Sequence, residues 1–328
     1  MIKVSRLGRA LSLTALAGSV LLTAACAGGA PQAGNNSELT TVTLASSITG
    51  SSFLGVTAGI EEGIFEKHGI DLKVVKVKNT SEGAAALESG QADIASVLTE
   101  GVISLAGAGS DTKIVANMLT EDQHILYAGS GIEKIEDLKG KKFGVVSPGS
   151  GTEILAKHLF KESGMDVGGT EYVPSGAGSA TVAALISGQI DAAGVVPPYD
   201  KTAESQGLKK VLEYRDVIPG LTPQVFATKQ GTLDSKSEDL KKFIAAYTES
   251  TRWIVENEQA AIDILEKDTN TDREVAESSY QFAKPDYSLD GKVSIKGLET
   301  WLELSSKYGS APDSLTVNDI YDPALVGK

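Results

Sequence analysis

The spacing of apolar residues changes character repeatedly along the chain. Lys142-Phe143-Gly144-Val145-Val146 alternates as a strand does, then breaks into Ser-Pro-Gly-Ser-Gly-Thr. Ile154, Leu155, His158 and Leu159 follow at helical spacing, stopped by Gly164. The same order recurs across residues 64–100 and 159–198. Each segment opens with a Phe and a helix-ending Gly, Phe65/Gly69 and Phe160/Gly164. An Asp, a strand-type run, a loop of small residues and a short helix come next. Each short helix closes on Leu-x-Ser-Gly-Gln-x-Asp, Leu87 to Asp93 and Leu185 to Asp191, and runs into a small apolar strand. Ser81 and Ser179 are placed to cap the short helices, and Gly90 and Gly188 to take the left-handed turn after them. Strands alternating with helices predict α/β lobes with mostly parallel sheets and right-handed crossovers. Two copies predict two lobes, with the carboxyl ends of their strands facing a shared cleft. The last third reads as helical. Leu240, Phe243, Ile244, Tyr247 and Ile254 keep a 3.6-residue period after a cap at Ser237, and Leu298, Trp301 and Leu302 mark another amphipathic helix. Trp253 and Trp301 are therefore expected in the core.

Strand, glycine loop and helix is also how many proteins hold phosphate. The nucleotide motifs fail here. Gly144 and Gly149 have P-loop spacing, but Ser150 stands where the lysine belongs; Gly149 and Gly151 begin a dinucleotide fingerprint, but Ile154 takes its third glycine position. What remains is a helix start rich in backbone N–H groups and small hydroxyls, with Ser150 or Thr152 as its cap.

The N-terminus carries Lys3, Arg6 and Arg9, then an apolar stretch from Leu11 to Leu22 that is short for a membrane span. It ends Leu22-Thr23-Ala24-Ala25-Cys26, which resembles a bacterial lipoprotein signal, although Thr23 stands where leucine is commonest. The resemblance implies a signal peptide over 1–26, with lipid on Cys26 as the new N-terminus. Cys26 is the only cysteine, so the chain has no internal disulfide. Residues 27–39, small and polar, read as a disordered tether. Losing the leader and its three basic residues takes the net charge from −13 to −16. Such acidity argues against nucleic acid and against docking on anionic lipid, leaving the lipid as the membrane contact.

The ordered phrases "AGIEEGIFEKHGIDLKVV", "ALESGQADIA", "GIEKIEDLKGKKFGV" and "LISGQIDAAGVVPPYDKTAESQG" resemble the solute-binding proteins of bacterial ABC importers. More narrowly, they resemble the nitrate/sulfonate/taurine and thiamine-pyrimidine-precursor group, from about Thr41 to the C-terminus. The resemblance implies a two-lobed periplasmic-binding-protein fold of type II. It would be monomeric, lipid-anchored at the extracytoplasmic face of the cell membrane, and would deliver a small molecule to permease subunits. Lobe 1 would comprise 40–122 and 222–328, and lobe 2 123–221, with crossings near Asp122-Gln123 and Pro219-Pro223. Ligand contacts in this family come from loops after strands. Those positions are Ser46, Ser47, Ser52, Phe53, Thr99 and Glu100 in lobe 1. In lobe 2 they are Ser147, Ser150, Gly151, Thr152, Gly176, Ser179, Pro197 and Tyr199.

An enzyme acting in the same cleft is the alternative. The superfamily's pyrimidine synthase branch carries a cysteine-rich iron motif, which one cysteine cannot supply. His68, His124 and His158 follow no metal-ligand spacing, and no G-x-S-x-G elbow appears. Neither a metal nor a cofactor is expected. His158 reads as structural, whereas His124, beside a crossing, could reach the cleft. The solute stays open between a sulfonate-, nitrate- or taurine-like anion and a pyrimidine or amine. Beyond the leader only Arg215, Arg252 and Arg273 occur, none at a proposed loop tip, which weakens the anion. Glu100 would favour a cationic or amine-bearing solute, and Phe53 with Tyr199 could sandwich a planar ring.

Overall fold

The computed structural model describes residues 39–326, so Cys26 and all but the last residue of the tether lie outside the described residues. Ten strands are present among the described residues: β1 (Thr40–Ser46), β2 (Ile70–Lys76), β3 (Ile94–Leu98), β4 (Thr112–Leu119), β5 (Ile125–Ala128), β6 (Lys142–Val145), β7 (Glu171–Pro174), β8 (Ala192–Val195), β9 (Lys209–Glu213) and β10 (Gln224–Lys229). They form two five-stranded sheets, ordered β2-β1-β3-β10-β4 and β7-β6-β8-β5-β9.

The two sheets are built alike. In each, one strand runs against both its neighbours, β10 between β3 and β4, and β5 between β8 and β9. Each of these strands is the first after the chain changes sheet. The chain leaves β4 at its carboxyl end and enters β5 from the same side, so β5 must run opposite to β6 and β8. The return from β9 to β10 imposes the same reversal. The carboxyl ends of β1, β3, β6 and β8 consequently face the side where the chain crosses, the side on which open α/β sheets hold ligands.

The duplicated Leu-x-Ser-Gly-Gln-x-Asp phrase does the same work twice. Leu87 and Leu185 are core residues. Gly90 and Gly188 take φ of 72° and 71°, which only a residue without a Cβ adopts cheaply. The closing aspartates then splice the next strand onto its sheet. Asp93 Oδ2 accepts the Thr43 N–H at 2.9 Å, and Asp191 Oδ2 accepts the Lys142 N–H at 2.8 Å. The phrase is thus a strand-joining device rather than part of the cleft.

The caps differ from the sequence expectation. Asn79, not Ser81, caps the helix Thr80–Glu88 by accepting the Glu82 N–H. Ser179 is the first residue of its own helix, after Gly178. Ser237 lies within the helix Gln230–Glu256, just past a kink at Lys236 (φ −123°). For Ser81 and Ser179 a nearby residue takes the cap position and the serine is carried into the first turn; for Ser237 the helix has already begun at Gln230.

The long helix Gln230–Glu256 covers the first sheet, where Phe226 meets Phe243 and Tyr247 edge-on at 5.1 and 4.7 Å. Trp301, on the helix Ile295–Tyr308, is 2 % exposed. It belongs to an apolar cluster that includes Val102 and Ile103 from the first lobe and Ile154, Leu155 and Leu159 from the second. That helix therefore packs on both lobes. No described helix is long and apolar enough to cross a membrane.

Candidate functional site

Thr99 and Glu100 open a helix directly after β3, and Gly151 opens the helix Gly151–Glu162 shortly after β6. The two helix starts meet across the lobes. A Cβ on Gly151 would lie 2.8 Å from Glu100 Cδ and 3.1 Å from its Oε1. On another edge of the cleft, a Cβ on Gly50 would lie 3.8 Å from Pro198 Cδ.

Beside Gly151, a cavity of about 80 Å³ lies at the carboxyl ends of β6 and β8. Its walls include His124, Val146, Thr152, Gly178, Thr181 and Tyr214, and it is mostly apolar, without a serine or cysteine. A wider groove of about 690 Å³ runs between Thr49, Gly50 and Lys76 on one side and Pro198 and Tyr199 on the other, reaching Asp268–Asp272. Tyr199 separates the two spaces, its ring 2.9 Å from where a Cβ on Gly178 would stand.

The electrostatics centre on two groups. Loss of hydration pushes the Glu100 carboxyl up to about 7; the backbone amides of Glu100, Gly151 and Gly101 and the nearby His124 offset only part of that cost. Burial opposes charging of His124, but the Asp122 carboxylate, hydrogen-bonded to Nδ1 at 2.8 Å, outweighs it, and Glu100 adds to the pull. The imidazolium is thus held above the usual histidine range. Burial pushes the Tyr214 phenol up, so it stays neutral at physiological pH. Asp122 also accepts the His124 backbone N–H at 2.8 Å, so one carboxylate fixes both backbone and ring at the crossing.

Of the sequence candidates, Thr152 lines the inner cavity and Tyr199 the wider groove, while Glu100 and Gly151 meet each other next to Thr152. Ser147 and Ser150 shape the loop: the Ser150 hydroxyl donates to the Ser147 carbonyl at 2.6 Å instead of capping the helix. The Thr152 hydroxyl accepts the Val146 N–H at 2.9 Å, bracing the loop from its far side. Gly176 (φ 75°) takes the Thr181 hydroxyl on its carbonyl, while Ser179 is exposed beside the cavity wall. Pro197 is buried next to the groove. Ser52 donates to Gln123 Oε1 at 3.0 Å, tying lobe 1 to the crossing. Ser47 is half-buried at the end of β1.

Three candidates are spent elsewhere. Phe53 is 7 % exposed and packs in the core with Val42, Leu44 and Phe65, so its ring is not a stacking platform. The Ser46 hydroxyl is taken up by Ser96 and by the Ile48 N–H. Thr99 is fully buried and donates to the Thr222 carbonyl. Ser46 and Thr99 sit at strand ends, where the backbone needs a turn partner before any ligand arrives, and Phe53 closes the short helix Gly50–Phe53 with its ring turned into the core.

Residue patterns did not single out Tyr214 or Thr181. Tyr214 follows β9 directly, and only the crossing brings it beside His124, ring centroids 5.5 Å apart. Removing the Thr152 hydroxyl is expected to lower stability by about 1 kcal/mol, the usual net worth of one hydrogen bond. Thr152→Ala should show this as a shift of the urea midpoint at unchanged slope; an unchanged midpoint would mean that the hydroxyl does not brace the loop.

Among the described residues, no group of three or more His, Cys, Asp or Glu is placed to hold a metal ion. In solved structures the fold recurs in a ligand-binding component of an ABC-type import system from Staphylococcus aureus, which has zinc bound. The TM-score is 0.74 at 20% identity, covering 87% of this chain and 97% of that one. It recurs in the alkanesulfonate-binding protein SsuA of Xanthomonas axonopodis pv. citri bound to MOPS, with TM-score 0.73 and 16% identity over 87% and 99% of the two chains. In sequence, a Brucella abortus (strain 2308) protein named "Putative binding protein" is 27% identical over 273 residues, 80% of this chain and 83% of its own. The NMT1/THI5-like family model matches residues 51–261, well over half of the 328 residues, and the chain belongs to that family.

Proposed function

We propose that this chain is the extracytoplasmic solute-binding component of an ABC importer, anchored by lipid on Cys26. It captures a small molecule between its lobes and hands it to the permease. The observation that carries the reading is the convergence of strand carboxyl ends from two like sheets on one cleft, with Glu100 of one lobe against Gly151 of the other. The binding-protein names of the relatives support it. Lobe 1 is taken as 40–122 with 222–328, and lobe 2 as 123–221. Glu100, Gly151, Thr152 and Tyr199, with His124 added, are the solute contacts.

Binding without turnover fits the cavity better than catalysis does. His124 is hydrogen-bonded to Asp122, the cavity walls hold no serine or cysteine, and their threonine hydroxyls are bonded within the loops, Thr152 to the Val146 N–H and Thr181 to the Gly176 carbonyl. Closure is then driven by contacts that the solute makes only in the closed form. Denaturing the purified protein and identifying the released small molecule by mass spectrometry tests the reading. The same molecule should rebind, be recovered unchanged, and make the scattering curve more compact. Chemical conversion of the molecule would favour an enzyme, and identical scattering with and without it would remove the receptor.

The anchor has its own test. Cys26→Ser is expected to release the chain into the aqueous fraction or to leave the leader uncleaved. A variant processed and membrane-bound as wild type would remove the lipid.

A further inference from the structure

The start of the helix Gly151–Glu162 is the seat that an oxyanion would take in this cleft, because its first amides have no partner within the helix. In this chain Glu100 stands there. Its carboxyl approaches Gly151 from the other lobe so closely that a methyl group on Gly151 would collide with it, at 2.8 Å from Cδ. Lys76 and Lys201 line the wider groove, Lys201 paired with Glu204; at the inner cavity the basic group that would answer a second anion is already engaged. His124, the one basic residue lining the inner cavity, is hydrogen-bonded to Asp122. The three described arginines all face partners elsewhere: Arg215 holds Glu213 and Asp286, Arg252 the Leu289 carbonyl, and Arg273 Glu277 and Asp263.

We propose that Glu100 is a specificity-determining residue: it occupies the oxyanion seat and reserves the cleft for a solute that presents a cationic or neutral N–H donor. The proposal rests on the solute-binding reading above and narrows it to a charge class. A second anion beside Glu100 would further oppose ionisation of a carboxyl that loss of hydration already pushes up to about 7. A solute N–H would supply the missing donor and return the carboxyl to its ionised form. The fully ionised sulfonate or nitrate is the group most disfavoured.

The test needs no knowledge of the natural solute. The full chain in detergent is titrated with sodium ethanesulfonate and sodium nitrate, against sodium chloride at equal ionic strength. Binding is followed by calorimetry and by melting temperature, for wild type, Glu100→Gln and Glu100→Ala. Wild type is expected to respond to neither anion beyond chloride. Both variants, folded with melting temperatures near that of wild type, should bind ethanesulfonate at least tenfold more tightly than wild type does. Wild-type binding as tight as that of the variants overturns the proposal, and so does a lack of gain in both variants.

The outcome separates from that of the receptor reading. If scattering is identical with and without the released molecule but the variants gain the anion, the receptor reading fails and the charge selectivity of the cleft stands. If a solute is found and the variants gain nothing, only the selectivity fails.

Discussion

Trp301→Ala is expected to cost the folded protein about 3–5 kcal/mol, the range for emptying a buried tryptophan site. The residue is 2 % exposed on the helix Ile295–Tyr308, with Leu298 and Leu304 beside it in the same cluster. That cluster reaches the helices Thr99–Gly107 and Gly151–Glu162, whose starts form the Glu100–Gly151 contact. The cavity left by alanine cannot collapse freely, because it is walled by elements of both lobes. The indole N–H has no hydrogen-bond partner, so what matters is ring volume rather than polarity. Trp301→Phe should therefore retain more than half of the lost stability. Urea unfolding followed by tyrosine fluorescence or circular dichroism measures both variants. A loss below about 1 kcal/mol for Trp301→Ala would mean that this helix is not the tie between the lobes.

The second large effect is expected on binding. Gly151→Val would place a branched side chain where Glu100 now lies, with its Cβ 2.8 Å from Cδ and 3.1 Å from Cγ. The fold should accept it, since Gly151 does not need a positive φ and lies in the first turn of the helix. Glu100 can swing aside, but valine then covers the amides at the helix start and props the lobes apart. Overpacking of this kind costs about 1–3 kcal/mol, which, charged entirely to the closed form, weakens solute affinity by about 5–150-fold. Affinity for the solute released from wild type should fall while the melting temperature stays put. A variant with wild-type affinity would take this loop out of the binding site. A variant with lowered melting temperature and unchanged affinity would make the loop structural alone.

The two α/β units and the strand-joining phrase were legible because their causes are local. Helical and strand periodicities, the glycines that end helices and the aspartates that follow them lie within a few residues of what they control. Asp93 and Asp191 repeat in sequence because each splices a strand onto its sheet in the same way. Gly151 and Thr152 were nameable as a helix start with free N–H groups, whereas Glu100 and Tyr199 entered as positions that the family resemblance implies.

What the sequence could not decide is which of several strand-end residues a backbone turn would use. Ser46, Phe53 and Thr99 had the right position and chemistry, yet Ser96, the apolar core and the Thr222 carbonyl claimed them. The choice follows from side-chain direction and from partners far along the chain. The same holds for His124 and Tyr214, which share a cavity only because the chain crosses between sheets on both sides of them. Sequence by itself determined the two lobes and the loops that border their cleft, because hydrophobic period and turn chemistry act over a few residues. Only the tertiary structure set the carboxyl of Glu100 against the helix start at Gly151, because the encounter depends on contacts between segments about fifty residues apart in the chain.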